Sequence, residues 1–260
     1  MNVPIMADVF AQGKKPEYLF FVGSAGSFDD RAKKITRSFV KIMNKFDVDF
    51  AVLGTEESSL GDAAKRAGNE FVFQMAALMA IETFNMYEVK KIVTCDPHSF
   101  NLLKNEFPSL GGNYEVYHHT EFIDDLLKKN NVNLSESGAF KNKKVTYHDS
   151  CYLGRANGIF DAPRSILGSL GTDFVEMKSN KKQGLCCGAG GSQIFKEDEP
   201  GDVRINKVRT QQAIDAKANV VASACPFCMT MLRDGVTEAD KNETMEVLDI
   251  AEIVAKSLSL

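Results

Sequence analysis

Several signatures of membrane, secreted and nucleic-acid-binding proteins are missing from this 260-residue sequence. No apolar run reaches the roughly 18 residues that a membrane-spanning helix needs, so we expect no direct membrane span. The first residues, MNVPIMADVFAQGKKPEY, lack the basic, apolar and small-residue succession of a signal peptide, which favours a cytoplasmic location. A net charge of −4 and a pI near 5.7 argue against a surface for nucleic acid.

Motifs for the common redox and nucleotide cofactors are also missing. The sequence contains no ferredoxin-type C-x2-C-x2-C-x3-C run and no flavin or dinucleotide fingerprint. The segment GSAGS at 23–27 has neither the dinucleotide glycine spacing nor a P-loop lysine. Any electrons that this chain handles are therefore expected to come from another polypeptide.

What the sequence does contain is six cysteines in an otherwise ordinary globular composition, with 44% hydrophobic and 25% charged residues. In a cytoplasmic protein, cysteines favour metal binding or catalysis over a disulfide framework. Two of them are adjacent, Cys186 and Cys187, within GLCCGAGGSQ at 184–193. Adjacent cysteines rarely bond each other, and the glycines beside them allow a close backbone approach to something else.

The cysteines of the second half follow a fixed frame. Cys151 is followed by 34 residues, then by Cys186 and Cys187, then by 37 residues and CPFC at 225–228. The frame is strong as a whole, whereas CPFC alone also occurs in zinc ribbons and redox dithiols.

The first half repeats this frame without the thiols. Ser24 is followed by 33 residues, then by Ser58 and Ser59, then by 36 residues and DPHS at 96–99, with proline at the same place in both final tetrads. We interpret the two frames as an ancient duplication with halves of about 18–130 and 143–260. The predicted domains are 1–130 and 143–260, joined by a polar linker at 130–144.

Both halves are predicted to alternate strands and helices. Eight short segments rich in β-branched and aromatic residues are typical of buried parallel strands: 18–22, 49–53, 91–94, 114–118, 144–148, 173–177, 219–223 and 246–250. Helical patterns lie between them. We predict an α/β fold of two tandem Rossmann-like parallel-sheet halves related by a pseudo-twofold axis.

Two of the predicted helices carry apolar stripes. A helix over 29–46 has one apolar face, and a long helix over 61–86 has a methionine and phenylalanine stripe. We expect the stripe of the second helix to be core: Phe71, Met75, Met79, Ile81 and Phe84.

The thiols are predicted to meet at one site. Each thiol position follows the carboxyl end of a predicted strand, where ligands of open α/β sheets gather. The converging residues would be Cys151, Cys186, Cys187, Cys225 and Cys228. Soft thiolate ligands suit an iron–sulfur cluster or zinc, but zinc needs only four ligands and no adjacent pair.

The full frame resembles the cysteine-rich CCG domain found in a subunit of heterodisulfide reductase and in iron–sulfur subunits of lactate and glycolate oxidation systems. The resemblance covers nearly the whole chain and includes YLFFVGSAGSFDDR, CYLGRANGIFDAPR and GLCCGAGG. It implies a noncubane [4Fe–4S] cluster held by Cys151, Cys186, Cys187, Cys225 and Cys228. It also implies that the first half is a CCG-like domain whose cysteine ligands have been lost.

The first half departs from the family pattern where cysteines are often found, because it has Ser24, Ser59, Asp96 and Ser99. Serine and aspartate are poor ligands for an iron–sulfur unit, so a second cluster is not expected. Cys95 is displaced by one position and is expected to be buried and inert; the alternative is a hard-metal site formed with Asp96 and His98.

Other polar residues have a structural and a functional interpretation. His148 and Asp149 precede Cys151 and could donate hydrogen bonds near the cluster or simply end a strand and cap a turn. His118 and His119 are expected at the surface. Three lysines before Cys186 are expected to lie in a solvated loop: Lys178, Lys181 and Lys182.

Three functions fit these observations. The first is an electron-transfer or reductase subunit of a heterodisulfide reductase-like or lactate/glycolate oxidation-like complex, with one cluster in the second half. Its expected partner is a protein with ferredoxin-type clusters, a flavin or a membrane anchor. The second is a zinc-stabilised interaction module without redox activity. The third is a metal-free thiol oxidoreductase that uses Cys225 and Cys228.

Overall fold

The structure is a computed structural model that describes residues 1–197 and 200–260. The first half contains strands β1 (Tyr18–Phe21), β2 (Phe50–Ala51), β3 (Lys91–Thr94) and β4 (Glu115–His118). Its helices are α1 (Met6–Ala11), α2 (Gly23–Phe28), α3 (Ala32–Lys45), α4 (Asp62–Arg66), α5 (Glu70–Met86), α6 (Pro97–Asn101) and α7 (His119–Lys129).

The second half repeats this alternation of strands and helices. Its strands are β5 (Lys144–Tyr147), β6 (Asp173–Phe174), β7 (Val220–Ser223) and β8 (Glu246–Asp249). Its helices are α8 (Asp161–Gly168), α9 (Ile205–Asp215), α10 (Pro226–Glu238) and α11 (Ile250–Ser257). Among the described residues, no helix is long and apolar enough to cross a membrane.

Each half has its own four-stranded sheet, and every pairing is parallel. The strand orders are β2-β1-β3-β4 and β6-β5-β7-β8, so the two sheets have the same topology. The predicted α/β fold of two similar halves is therefore confirmed. All eight predicted strands are present, although β2 and β6 are only two residues long.

The predicted single helix over 61–86 is wrong, because two helices occupy this segment. Gly68 has a φ of +84° between α4 and α5, a left-handed conformation that ends the first helix. The side chain of Asn69 then caps α5 by accepting a hydrogen bond from the Val72 backbone N–H at 3.2 Å.

The predicted core stripe of this segment is only partly correct. Ile81 and Phe84 are buried, but Phe71, Met75 and Met79 are 75%, 48% and 58% exposed. The reason is that α5 is apolar almost all the way round, so one face packs on the sheet and another apolar face remains in solvent. Exposed apolar faces of this kind are typical of surfaces that another protein covers.

The two halves share one core and are joined by buried polar contacts. Helix α11 packs on α3, and α7 packs on α8. Arg31 of the first half forms an ion pair with Glu252 of the second at 2.7 Å. The expectation that His118 and His119 lie at the surface is wrong, since both are fully buried. The end of β4 lies at the junction between the halves, where His119 pairs with Asp249 of the second half. The local sequence could not predict this burial, because it depends on packing between the halves.

Candidate metal centre

The five thiols of the second half lie in a continuous series of contacts. Cys186 is within hydrogen-bond contact of Cys151 and Cys187, and Cys228 is in contact with Cys187 and Cys225. Cys187, Cys225 and Cys228 are buried, whereas Cys151 and Cys186 are partly exposed. The structure thus brings together all five residues predicted for the site and leaves one side of the site open to solvent.

Local backbone geometry positions these sulfurs. Cys225 lies at the N-cap of α10, where its Sγ accepts a hydrogen bond from the Cys228 N–H at 3.5 Å. Gly188 has a φ of +95°, which disfavours any other residue, and its N–H donates to Cys186 Sγ at 3.3 Å. The glycine after the cysteine pair is therefore required by a turn that aims backbone N–H at sulfur.

Without a bound metal, the contacts among the thiols favour one thiolate, and this thiolate is Cys186. Hydrogen bonds from Cys151 and Cys187, assisted by the Gly188 N–H, lower the pKa of Cys186 far below its usual range. The same contact with Cys186, together with burial, raises the pKa of Cys151. A bound metal removes this limit, because a thiol that coordinates a metal is deprotonated outright.

His148 contacts this group of sulfurs from the end of β5. One of its ring nitrogens lies within 4.8 Å of the sulfurs of Cys187 and Cys228. Its Nδ1 accepts a hydrogen bond from Arg209 Nε at 2.9 Å, so the remaining ring proton is on Nε2, which has no protein partner. Burial, followed by the charge of Arg209, lowers the pKa of His148 to about 3 and keeps the imidazole neutral.

Arg209 is fully buried behind His148. Its guanidinium also donates to the Ser179 carbonyl and to Gln212 Oε1, both at 2.7 Å, while Nη2 has no partner. Within residues 1–197 and 200–260, no carboxylate lies within ion-pair distance of Arg209, and burial lowers its pKa to about 10. A buried cation without a counterion is costly, so this site is built to face an anion.

Further buried polar atoms near the carboxyl ends of two strands have no protein partner. They include Tyr147 OH, Ser150 Oγ and Ser223 Oγ, at or just beyond the carboxyl ends of β5 and β7. Unsatisfied buried donors are rare in folded proteins and are explained where a ligand accepts from them. The soft thiol donors and the buried cation Arg209 fit an anionic iron–sulfur group.

Asp149 and the nearby lysines have structural roles in this arrangement. Asp149 forms a bidentate pair with Arg164 at 2.8 and 2.9 Å and accepts from the Lys181 N–H at 2.7 Å. These bonds tie the loop before Cys151 to the loop before Cys186. The three lysines are exposed, as expected for a solvated loop.

The corresponding positions of the first half surround a pocket. Ser24, Ser59, Asp96 and Ser99 line the same pocket, which is open to solvent on one side. Ser58, the neighbour of Ser59 in the sequence frame, lines a different pocket. Asp96 caps α6 by accepting from the N–H groups of His98 and Ser99 and from Ser99 Oγ, and it is therefore saturated.

Cys95 belongs to the hydrophobic core and not to a metal site. It is 5% exposed and packs with the core residues shared by the two halves. Burial raises the pKa of its thiol well above the usual range. His98 Nδ1 is bonded to Asp62 Oδ2, and in the described part of the chain His98, Cys95 and Asp96 do not form a group of ligand atoms close enough to share one metal ion.

Comparison with known proteins finds a family whose description matches the residues around the thiols. Residues 145–233 match the family described as a cysteine-rich domain, CCG. The chain is 44% identical over 258 residues to the probable iron-sulfur-binding oxidoreductase FadF of Bacillus subtilis, covering 99% of this chain and 36% of that protein.

Two further relatives have related descriptions. The EtfAB:quinone oxidoreductase of Syntrophomonas wolfei is 43% identical over 95% of this chain and 35% of its own length. One subunit of the dihydromethanophenazine:CoB–CoM heterodisulfide reductase of Methanosarcina barkeri is 35% identical over 95% of this chain and 60% of its own length. The chain thus spans little more than a third of the first two relatives and 60% of the third.

Proposed function

We propose that this chain, whose residues 145–233 form a cysteine-rich CCG domain, is a one-cluster iron–sulfur electron-transfer unit of an oxidoreductase. The proposed ligands are Cys151, Cys186, Cys187, Cys225 and Cys228. The observation that carries this proposal is the convergence of five thiols beside a fully buried arginine that has no carboxylate partner among the described residues. The noncubane [4Fe–4S] type is the form that the family resemblance implies.

When bound, such a cluster takes up and releases single electrons. The chain supplies the remaining parts of the site. Cys186 and Cys151 form the partly exposed edge through which a redox partner can approach. Arg209 provides a fixed positive charge, and His148 Nε2 provides a neutral hydrogen-bond donor next to Cys187 and Cys228.

The proposed partner is a protein that carries ferredoxin-type clusters or a flavin. Two of the relatives are named as oxidoreductase assemblies, one with EtfAB and quinone and one as part of a heterodisulfide reductase. The exposed apolar face of α5, which includes Phe71 and Met79, is consistent with a chain that works against another protein surface.

Two alternatives are less well supported. A zinc module requires only four ligands, so it does not explain the fifth thiol or the buried charge of Arg209. A metal-free dithiol of Cys225 and Cys228 requires an accessible sulfur, but these side chains are only 1% and 3% exposed.

Anaerobic purification and reconstitution with iron and sulfide test the proposal. We expect a brown protein whose absorbance near 400 nm decreases on reduction with dithionite and returns on oxidation. A colourless protein that carries equimolar zinc would establish the interaction module instead. A colourless, metal-free protein with a titratable dithiol would establish the thiol oxidoreductase.

A further inference from the structure

The partly exposed edge of the thiol centre is flanked by cations. The two segments that carry Cys151 and Cys186, residues 150–160 and 177–187, contain no aspartate or glutamate. They carry four exposed cations, which we call the basic patch: Arg155, Lys178, Lys181 and Lys182. Because the whole chain has a net charge of −4, the patch has the opposite sign to the chain as a whole.

Hydrogen bonds hold the two loops of the basic patch together at this edge. The Lys181 N–H donates to Asp149 Oδ2 at 2.7 Å, two positions before Cys151. From the other loop, the guanidinium of Arg155 donates to the Gly184 carbonyl, at the start of the segment with the cysteine pair. The loops that carry the four cations are therefore fixed to the segments that carry the partly exposed thiols.

The basic patch has no counter-charge within the chain. The acids that directly precede the two segments, Asp149 and Glu176, are both bonded to Arg164, at 2.8 and 2.9 Å and at 2.7 and 3.0 Å. Within residues 1–197 and 200–260, none of the four cations forms an ion pair. Their charges are thus available to a molecule that approaches from solvent.

The centre does not need the basic patch as its own counter-charge. Arg209 is fully buried and is linked to the centre through His148, so it acts there at short range. Exposed charges are screened by water, but their field still reaches roughly 10 Å into solvent at 0.1 M salt. Such a field steers an oppositely charged protein to one place on the surface and orients it there.

We propose that the basic patch is the docking surface for an acidic redox protein that exchanges single electrons with the thiol centre. This proposal rests on the proposed iron–sulfur function and adds the charge of the partner and the residues that receive it. The rest of the chain carries a larger negative charge and repels such a partner, so docking is directed to the edge at Cys151 and Cys186. The partner loses one electron for each electron that the centre gains.

Binding of an acidic [2Fe–2S] ferredoxin to the full chain tests this proposal. Titration calorimetry under anaerobic conditions is carried out on the metal-free and on the reconstituted chain. We expect both forms to bind one ferredoxin per chain, with an affinity that falls about tenfold between about 0.01 and 0.1 M salt. Citrate, added at constant ionic strength, should not displace the ferredoxin, because a small anion cannot contact the whole patch.

Two triple variants with the same change of charge locate the docking surface. Lys178→Glu, Lys181→Glu and Lys182→Glu together should weaken ferredoxin binding about tenfold at low salt. The control combines Lys141→Glu, Lys217→Glu and Lys241→Glu, in the loops that precede β5, β7 and β8 at the opposite edge of the sheet. It should change the affinity by less than about twofold. Lys217 also matches Lys181 in backbone conformation, with φ values of +55° and +52°.

Three results would overturn the docking proposal: no saturable binding by the wild-type chain, equal losses in the two triple variants, or displacement by citrate. Stopped-flow oxidation of reduced ferredoxin by the reconstituted chain gives a second readout, and the patch variant should be about tenfold slower at unchanged iron content. A chain that holds no iron would refute the iron–sulfur function and leave the binding result intact. A chain that holds iron but binds ferredoxin equally in all variants would refute only the docking surface.

Discussion

Arg209 Nε donates a hydrogen bond to His148 Nδ1 over 2.9 Å, and both side chains are fully buried. This contact joins a fixed positive charge on α9 to an imidazole at the end of β5, and the imidazole lies beside the sulfurs of Cys187 and Cys228. It fixes the ring tautomer and leaves Nε2–H for the centre. The pair thus gives the thiol site both a counter-charge and an oriented donor.

Removal of this charge is expected to lower the reduction potential of the reconstituted protein. Arg209→Met should shift the midpoint by on the order of 50–100 mV to more negative values, because the reduced centre loses a nearby cation. Redox titration followed by absorbance measures the shift. The exposed Arg37→Met is the matched control and should leave the midpoint unchanged. An unchanged or higher midpoint in Arg209→Met would show that the guanidinium does not face the centre.

Two buried cysteines are expected to differ in their effect on metal content. Cys187→Ser should lose most of the bound iron, because it replaces a soft ligand in the middle of the sulfur series. Cys95→Ser should retain the wild-type amount, since this thiol lies in the hydrophobic core. Iron and acid-labile sulfide are measured after identical reconstitution. Equal losses in the two variants would mean that Cys95 belongs to the site.

Glu57 makes the first half sensitive to pH. Its carboxylate accepts hydrogen bonds from the Val22 and Gly23 N–H groups at 2.9 and 2.7 Å, yet burial raises its pKa to about 7. The protonated form is favoured in the folded state, so stability is fully present below pH 4.5 and is lost as the pH rises through 7.

Urea denaturation at a series of pH values measures this effect. Relative to Glu57→Gln, the wild-type free energy of unfolding should fall by up to about 3 kcal/mol between pH 4.5 and pH 8. Glu56→Gln, the neighbouring position, is the control and should follow the wild-type pH dependence. A difference between wild type and Glu57→Gln that stays constant with pH would refute the assignment to this carboxyl.

The junction between the halves depends on a buried pair. His119 Nε2 lies 2.9 Å from Asp249 Oδ1, and both residues are fully buried. Asp249→Ala should lower the free energy of unfolding by about 3–5 kcal/mol, because it leaves His119 without its partner and also removes the cap of α11. Glu88→Ala, which breaks an exposed pair with Lys15, should leave the free energy of unfolding close to the wild-type value, because water and salt screen this pair. Similar losses in both variants would contradict the role of the buried pair.

Sequence patterns predicted the sheets well because strand signals are local. β3 and β7 are apolar runs that are buried in the structure, and their alternation with helices determined the fold class. The meeting of the five thiols could also be predicted, because each thiol position follows a strand and parallel strands bring their carboxyl ends to one edge of the sheet. His118 and His119 could not be placed, because their burial depends on packing between the halves rather than on neighbouring residues.

The same limit applies to Arg209 and α5. Arg209 lies on a helix with little amphipathic pattern, so nothing in its neighbourhood indicated that it reaches His148, 61 positions away. Phe71 and Met79 lie on a helix that is apolar on all sides, and periodicity does not say which apolar face packs inward. The pocket around His98 is lined by residues of both halves, so local sequence patterns could not predict it.

The metal content of the reconstituted chain tests the central claim most directly. We expect about four irons and a similar amount of sulfide per chain, from a single cluster held by the second half. Ser59→Ala and Ser99→Ala should keep this content, because the oxygen-lined pocket of the first half binds no cluster. About eight irons per chain, loss of iron in either serine variant, or zinc in place of iron would contradict the account.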